Sequence, residues 1–231
     1  MNITLEDILR SQKIQKNVIR RTPLEGSYSF SVMTGSQVYL KSECLQKTGS
    51  FKVRGAYAKI ASLSKEEKKK GVIAASAGNH AQGVAYASAL EKIPCTIVMP
   101  VNASPAKVSA TKAYGAKVIL EGSIYDESSA KATEIAKKTG ATMVHAFDDE
   151  IVIAAQGVIG LEIIEDLPDV DEIYVPIGGG GLAAGVLKAV KSKKPKVKVI
   201  GVQSSGFPAM KKSFDAGKLQ SVSGHRTIAD G

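Results

Sequence analysis

The chain of 231 residues contains no tryptophan, and aromatic residues make up only 5% of it. With 44% hydrophobic content, a core of real size has to be filled by Ala, Val and Ile, which suits a parallel sheet covered by small-residue helices. No apolar run approaches the ~18 residues of a membrane-spanning helix. The first ten residues place Glu6 and Asp7 inside an amphipathic pattern. Neither a membrane span nor a secretory leader is expected, and the chain reads as cytoplasmic. There are only two cysteines, Cys44 and Cys95; both fall in predicted strands, and two buried reduced thiols are expected in place of a disulfide. The three histidines, His80, His145 and His225, have no metal-ligand spacing with these cysteines, so no metal site is expected.

Basic residues are in excess, with a formal net charge of +9. Their distribution argues against a nucleic-acid partner. Lys68-Lys69-Lys70 and Lys193-Lys194 sit where connections between elements are predicted, without interleaved aromatics or a recognisable binding module. They read as solvated edges that also favour anionic ligands.

Along the chain, Thr4-Leu5-Glu6-Asp7 predicts a helix start, with one apolar face running to about Ile19. Pro23 pushes Thr22 into an extended conformation, and Val38 to Glu43 alternates as a strand. A helix is predicted over 52–62. Strands then follow at 72–76, 95–99, 117–120, 142–145, 172–177 and 197–203. Helices fall between and after them, at about 80–90, 105–113, 125–138, 150–166, 181–191 and 207–216. This alternation means βαβ units, hence an α/β fold. Two open, mainly parallel twisted sheets flanked by helices are expected. The larger domain would take residues 1–68 and 150–231, the smaller residues 69–149. A ligand would lie in the cleft between them, at the carboxyl ends of the strands.

Three short stretches carry chemistry. In Thr48-Gly49-Ser50-Phe51-Lys52 a small turn and an aromatic deliver one lysine to a helix start. The unpaired N–H groups and partial positive charge there disfavour an ammonium, and a neutral amine is what Schiff-base chemistry requires. Ile173 to Ile177 runs directly into Gly178-Gly179-Gly180-Gly181-Leu182. Strand, side-chain-free turn and helix start together aim several N–H groups at one point, which makes a phosphate site. The spacing is not that of an NTPase loop, and Val202-Gln203 stands where a dinucleotide site needs an acidic residue. Ser76-Ala77-Gly78-Asn79-His80 repeats the layout. It offers a carboxylate the next helix N-terminus, with Asn79 as an uncharged donor. His80 is either a general base or a capping histidine turned to the interior.

These stretches, extended to Ser50–Ala56 and Ser76–Gly83, resemble in order and spacing the three signatures of threonine dehydratases. Those are pyridoxal-phosphate enzymes of the tryptophan-synthase-β-like fold, and the resemblance runs from about Arg21 to Gly231. It implies that Lys52 holds pyridoxal 5'-phosphate covalently and later removes the α-proton of an amino-acid substrate. The Gly178–Leu182 backbone would bind the cofactor phosphate, Asn79 the ring hydroxyl, and Phe51 would pack near the ring. Ser76, Ala77, Gly78, Asn79 and His80 would hold the substrate carboxylate. The product would be a 2-oxo acid and ammonia. Similarity to the short catabolic type implies a nucleotide effector near Lys47, Thr48 and Gln82, and a homodimer or homotetramer. Biosynthesis of isoleucine and catabolism both remain open.

Serine racemases resemble the chain closely, but they carry a second serine where Ala77 stands and a cation-binding glutamate where Gln203 stands. One-sided elimination is therefore expected over racemisation. A non-catalytic ligand-binding fragment is the alternative of another class, since His225 to Gly231 stops in a loop where the family continues. The C-terminal part of the fold, with the residue that faces the cofactor ring nitrogen, is expected to lie beyond Gly231.

Overall fold

The structure is a computed structural model that describes residues 2–222 and Thr227. It has two compact units, Ser11–Ala146 and the pair of segments Met1–Arg10 and Phe147–Gly231. The described elements run α1 (Leu5–Gln15), β1 (Leu24–Gly26), α2 (Tyr28–Thr34), β2 (Tyr39–Lys41), α3 (Lys52–Ala61), α4 (Lys65–Lys70), β3 (Val72–Ala75), α5 (Asn79–Glu91) and β4 (Cys95–Met99). They continue with α6 (Pro105–Ala113), β5 (Lys117–Leu120), α7 (Tyr125–Thr139), β6 (Thr142–Met143), α8 (Glu150–Asp166), β7 (Glu172–Pro176), α9 (Gly181–Lys193), β8 (Lys198–Val202) and α10 (Ala209–Ala216).

In the Ser11–Ala146 unit, four parallel strands lie in the order β5-β4-β3-β6, and β1 and β2 pair antiparallel in a separate two-stranded sheet. All four residues of β3 are buried, and they serve two cores. Val72 and Ala74 join Ala56, Ile60, Ala81 and Val84 of α3 and α5. Ile73 and Ala75 join Val98 and Ala132, the latter on α7. A strand covered on both faces reads as a continuous apolar run because its period-2 faces are both interior. Gly71, at φ +79, fits where a Cβ would lie 2.5 Å from the Pro94 carbonyl oxygen, and Val72 N donates to that oxygen at 2.9 Å.

The sequence pattern places residues 1–68 with 150–231 in the larger domain; the lysine-bearing helix α3 lies in the compact unit Ser11–Ala146. Its backbone lies against α5, where a Cβ at Gly83 would come within 3.1 Å of Val53 N. Only glycine permits so close an approach of two helices.

In the other unit, β7 and β8 pair in parallel and α8 crosses α9 at glycines. A Cβ at Gly185 would lie 2.3 Å from Ile153 O, and one at Gly157 would lie 2.8 Å from Gly185 O. Helix α8 is buried along most of its length, as an apolar surface all round a helix demands.

Several expectations need correction. Helix α1 stops at Gln15, because Asn17 takes φ +66. The strand predicted from Val38 to Glu43 contracts to Tyr39–Lys41, and Cys44 lies exposed in a 3-10 turn over Glu43–Leu45, so only Cys95 is a buried thiol. Lys68–Lys70 do not form a connection. They end α4, whose capping box joins Ser64 and Glu67 in both directions, and the basic last turn suits the helix dipole. Lys193 likewise closes α9, with Lys194 as its C-cap. His225 lies outside the described residues. Among the described residues no helix is long and apolar enough to cross a membrane.

Candidate active site

Lys52 is the first residue of α3, preceded by Phe51, whose side chain makes no capping bond. Its Nζ donates to Ala146 O at 2.8 Å and lies 5.3 Å from the centre of the Phe51 ring. The amine is depressed below the ordinary lysine range, and the cause is burial. Desolvation disfavours the ammonium. The sequence points to the helix N-terminus as the cause; the structure puts the enclosure of the side chain in its place.

The Ser76–His80 loop leaves the carboxyl end of β3 and opens α5 in the same unit as Lys52. Ser76 Oγ accepts from Gly78 N at 3.2 Å, which tightens the turn. Gly78 has φ −124 and ψ −147, and a Cβ there would meet nothing within 4 Å. Ala77 and Asn79 are half-buried. His80 is only 4% exposed, and its Nε2 lies 2.8 Å from Val144 O. A carbonyl only accepts, so this nitrogen carries the hydrogen. Burial pushes the imidazole down to about 4, with nearby Lys52 and His145 adding to the fall. His80 is thus a neutral, engaged interior group. Its burial and its contact with Val144 O match the reading of a histidine turned to the interior.

The glycine turn belongs to the other unit, and three of its four glycines have one of two structural reasons. Gly180 has φ +88, a conformation that side chains resist. Gly179 and Gly181 are crowded by Phe147. A Cβ at Gly179 would lie 2.4–2.5 Å from ring carbons, and one at Gly181 would lie 2.6 Å from Phe147 O. Gly178 has no positive φ, and a Cβ there would meet nothing within 4 Å. The protein gives no packing reason for a missing side chain at Gly178. Helix α9 starts at Gly181, with Leu182 half-buried behind it, so unpaired N–H groups gather at this turn.

Lys47, Thr48 and Gln82 come from the Lys47–Gly49 turn and from α5. Lys47 Nζ is 5.8 Å from the ring of Tyr86, one helical turn beyond Gln82. Thr48 takes φ +67, and its buried Oγ1 has no hydrogen-bond partner among the described residues. The carbonyls of Ala146 and Val144 and the ring of Phe147 were not legible in the sequence, because backbone acceptors and aromatic wedges carry no motif.

The family model described as "Pyridoxal-phosphate dependent enzyme" matches residues 16–231. An L-threonine ammonia-lyase of Thermotoga maritima is 58% identical over 229 residues, which are 99% of this chain and 57% of that protein. A catabolic L-threonine dehydratase of Staphylococcus aureus is 50% identical over 230 residues, 99% of this chain and 66% of that protein. The chain therefore spans about three-fifths of the length of these curated relatives. Among solved structures, maize serine racemase superposes with a TM-score of 0.96 at 35% identity, covering 99% of this chain and 70% of that one.

Proposed function

Since the chain belongs to the family of pyridoxal-phosphate dependent enzymes, we propose that it dehydrates and deaminates L-threonine to 2-oxobutanoate and ammonia, and L-serine to pyruvate and ammonia. The observation that carries this is the buried amine of Lys52, held 2.8 Å from Ala146 O on a chain 58% identical to a threonine ammonia-lyase. The residues present fit the cofactor. An amine depressed by burial suits its aldehyde, and Gly178, where a Cβ would meet nothing within 4 Å, suits the approach of a phosphate to backbone N–H groups.

In this reading Lys52 would hold the cofactor covalently, with Phe51 near its ring. Asn79 would take the ring hydroxyl, and Gly178, Gly179, Gly180, Gly181 and Leu182 the phosphate. Ser76, Ala77 and Gly78 bring the substrate carboxylate to the start of α5, where His80, fixed to Val144, supports the loop from inside. The bound cofactor supplies an electron sink for the pair released at Cα. Once the substrate's amino group has displaced it from its covalent link, the freed Lys52 amine would take the α-proton, and its burial lowers the cost of staying uncharged until then. The β-hydroxyl leaves as water, and water later returns as ammonia is released. Ala77 offers no hydroxyl on the loop, which favours elimination over racemisation.

We further propose a cytoplasmic homodimer or homotetramer, with an amino-acid substrate and no nucleic-acid or membrane partner. The name of the Staphylococcus relative favours catabolism over isoleucine biosynthesis. The unpartnered Thr48 Oγ1 supports a nucleotide effector beside Lys47 and Gln82. Release of 2-oxobutanoate from L-threonine, dependent on added pyridoxal phosphate, tests the function. No release under saturating cofactor and substrate would overturn it.

A further inference from the structure

Arg54 stands in the lysine motif, yet the chemistry above gives it nothing to do. Its side chain is 1% exposed. Nε donates to Glu43 Oε2 and Nη2 to Glu43 Oε1, both at 2.8 Å, a two-pronged pair. Nη1 reaches Gln15 Oε1 at 3.3 Å and Nη2 also reaches Arg20 O at 3.4 Å. Glu43 accepts in addition from Thr22 Oγ1. Gln46 continues the network, with Oε1 accepting from Arg20 N and Lys47 N, and Nε2 donating to Arg20 O.

Glu43 and Arg54 bracket the segment that carries Lys52. Between them the backbone passes through two consecutive left-handed residues, Thr48 at φ +67 and Gly49 at φ +73. A β-branched residue in that region persists only where its surroundings over-determine it. At the start of α3 the N-cap Phe51 makes no side-chain bond, and Ser50 Oγ accepts from Lys52 N at a long 3.4 Å. Gln46 ties the segment to Arg20 on the near side of the lysine; beyond it the anchor is the Arg54 fork, whose planar geometry a lysine cannot copy.

We propose that Arg54 and Glu43 are positioning residues for Lys52: their ion pair staples the two ends of the lysine-bearing segment and so sets the ε-amine at the Ala146 carbonyl. This rests on Lys52 being the reactive amine.

The test is competitive trace acetylation across pH, with mass spectrometry of the Lys52 peptide, on the cofactor-free wild type, Arg54→Lys and Glu43→Gln. Steady-state kinetics of the loaded proteins run alongside. In wild type, Lys52 should titrate below the surface lysines. In both variants its titration should move up toward them, and kcat should fall on the order of 10- to 100-fold with little change in KM, as misplacement of a reacting group does. Lower melting temperatures with an unchanged Lys52 titration and unchanged kcat would overturn the proposal. Failure of both variants to fold would also overturn it, making the pair a stability element. A wild-type Lys52 that labels like surface lysines sinks the underlying assignment; a wild-type depression that survives in the variants sinks only the positioning role.

Discussion

The ε-amine of Lys52 donates to the carbonyl oxygen of Ala146 at 2.8 Å, across 94 residues of sequence. One backbone acceptor and a buried stem hold the amine, with no carboxylate paired to it among the described residues, so burial lowers its pKa. Lys52→Ala should abolish 2-oxobutanoate release and the visible absorbance of bound cofactor, with the far-ultraviolet dichroism unchanged. Substantial turnover in that variant would show the chemistry to lie elsewhere.

The same amine predicts a pH dependence of stability. The folded pKa of Lys52 lies below the unfolded value of about 10.4, so between the two the unfolded chain binds the extra proton. Stability from this group therefore rises with pH through that window and is lowest below the folded pKa. Cofactor-free Lys52→Met should be more stable than wild type near neutral pH, with the gap closing as pH approaches 10. Urea titrations of both proteins across pH measure this, and a constant gap would contradict it.

His80 gives the acid counterpart. Its imidazole is buried neutral with a pKa of about 4, below the unfolded ~6.5. The unfolded state takes up the proton first as pH falls, so stability is present above about 6.5 and lost down to about 4. Wild type should lose roughly 3 kcal/mol more than His80→Gln over that range, on the order of the shift times 1.36 kcal/mol per unit. Parallel acid losses in the two proteins would show that His80 titrates normally.

The adjacent glycines 178 and 179 should respond in opposite ways. Gly178→Ala meets no neighbour within 4 Å, so stability should hold within about 0.5 kcal/mol while the affinity for pyridoxal phosphate falls. Gly179→Ala drives a methyl into the Phe147 ring and should cost about 1–3 kcal/mol as overpacking. Chemical denaturation with and without cofactor separates the two effects. Equal stability losses would mean that Gly178 is also architectural.

Ala77 tests the choice between reactions. Its half-buried position in a turn of small residues can take one more oxygen with little loss of folding. Ala77→Ser should yield D-serine from L-serine, detected by chiral chromatography, alongside remaining elimination. Identical D-serine from both proteins would remove Ala77 as the reason for elimination.

The elements after Val72 were legible because short apolar strands alternate with helices between clear turn signals. β4, β5, α6 and α8 begin and end where the sequence places them. β1 and α2 were not legible, and α2 has no buried residue and so no apolar stripe to announce it. Helix α4 was missed although Ser64 and Glu67 spell its capping box; the run of lysines drew the eye instead. For the site, lysine, loop and glycine turn could be read from residue type. The neutral state of His80 could not, since it depends on the Val144 carbonyl, a partner 64 positions away.

Strand β3 has a further consequence. Because Val72, Ile73, Ala74 and Ala75 are all apolar, a slip of one residue would exchange its two faces without exposing oil to water, so hydrophobicity carries no phase information here. That information comes from outside the strand, where Gly71 seats over Pro94 with no room for a methyl. Gly71 thus works as the timing mark of the sheet. A side chain there should leave mistimed pairings competing with the native one, seen as slow, low-yield refolding even where the final state survives.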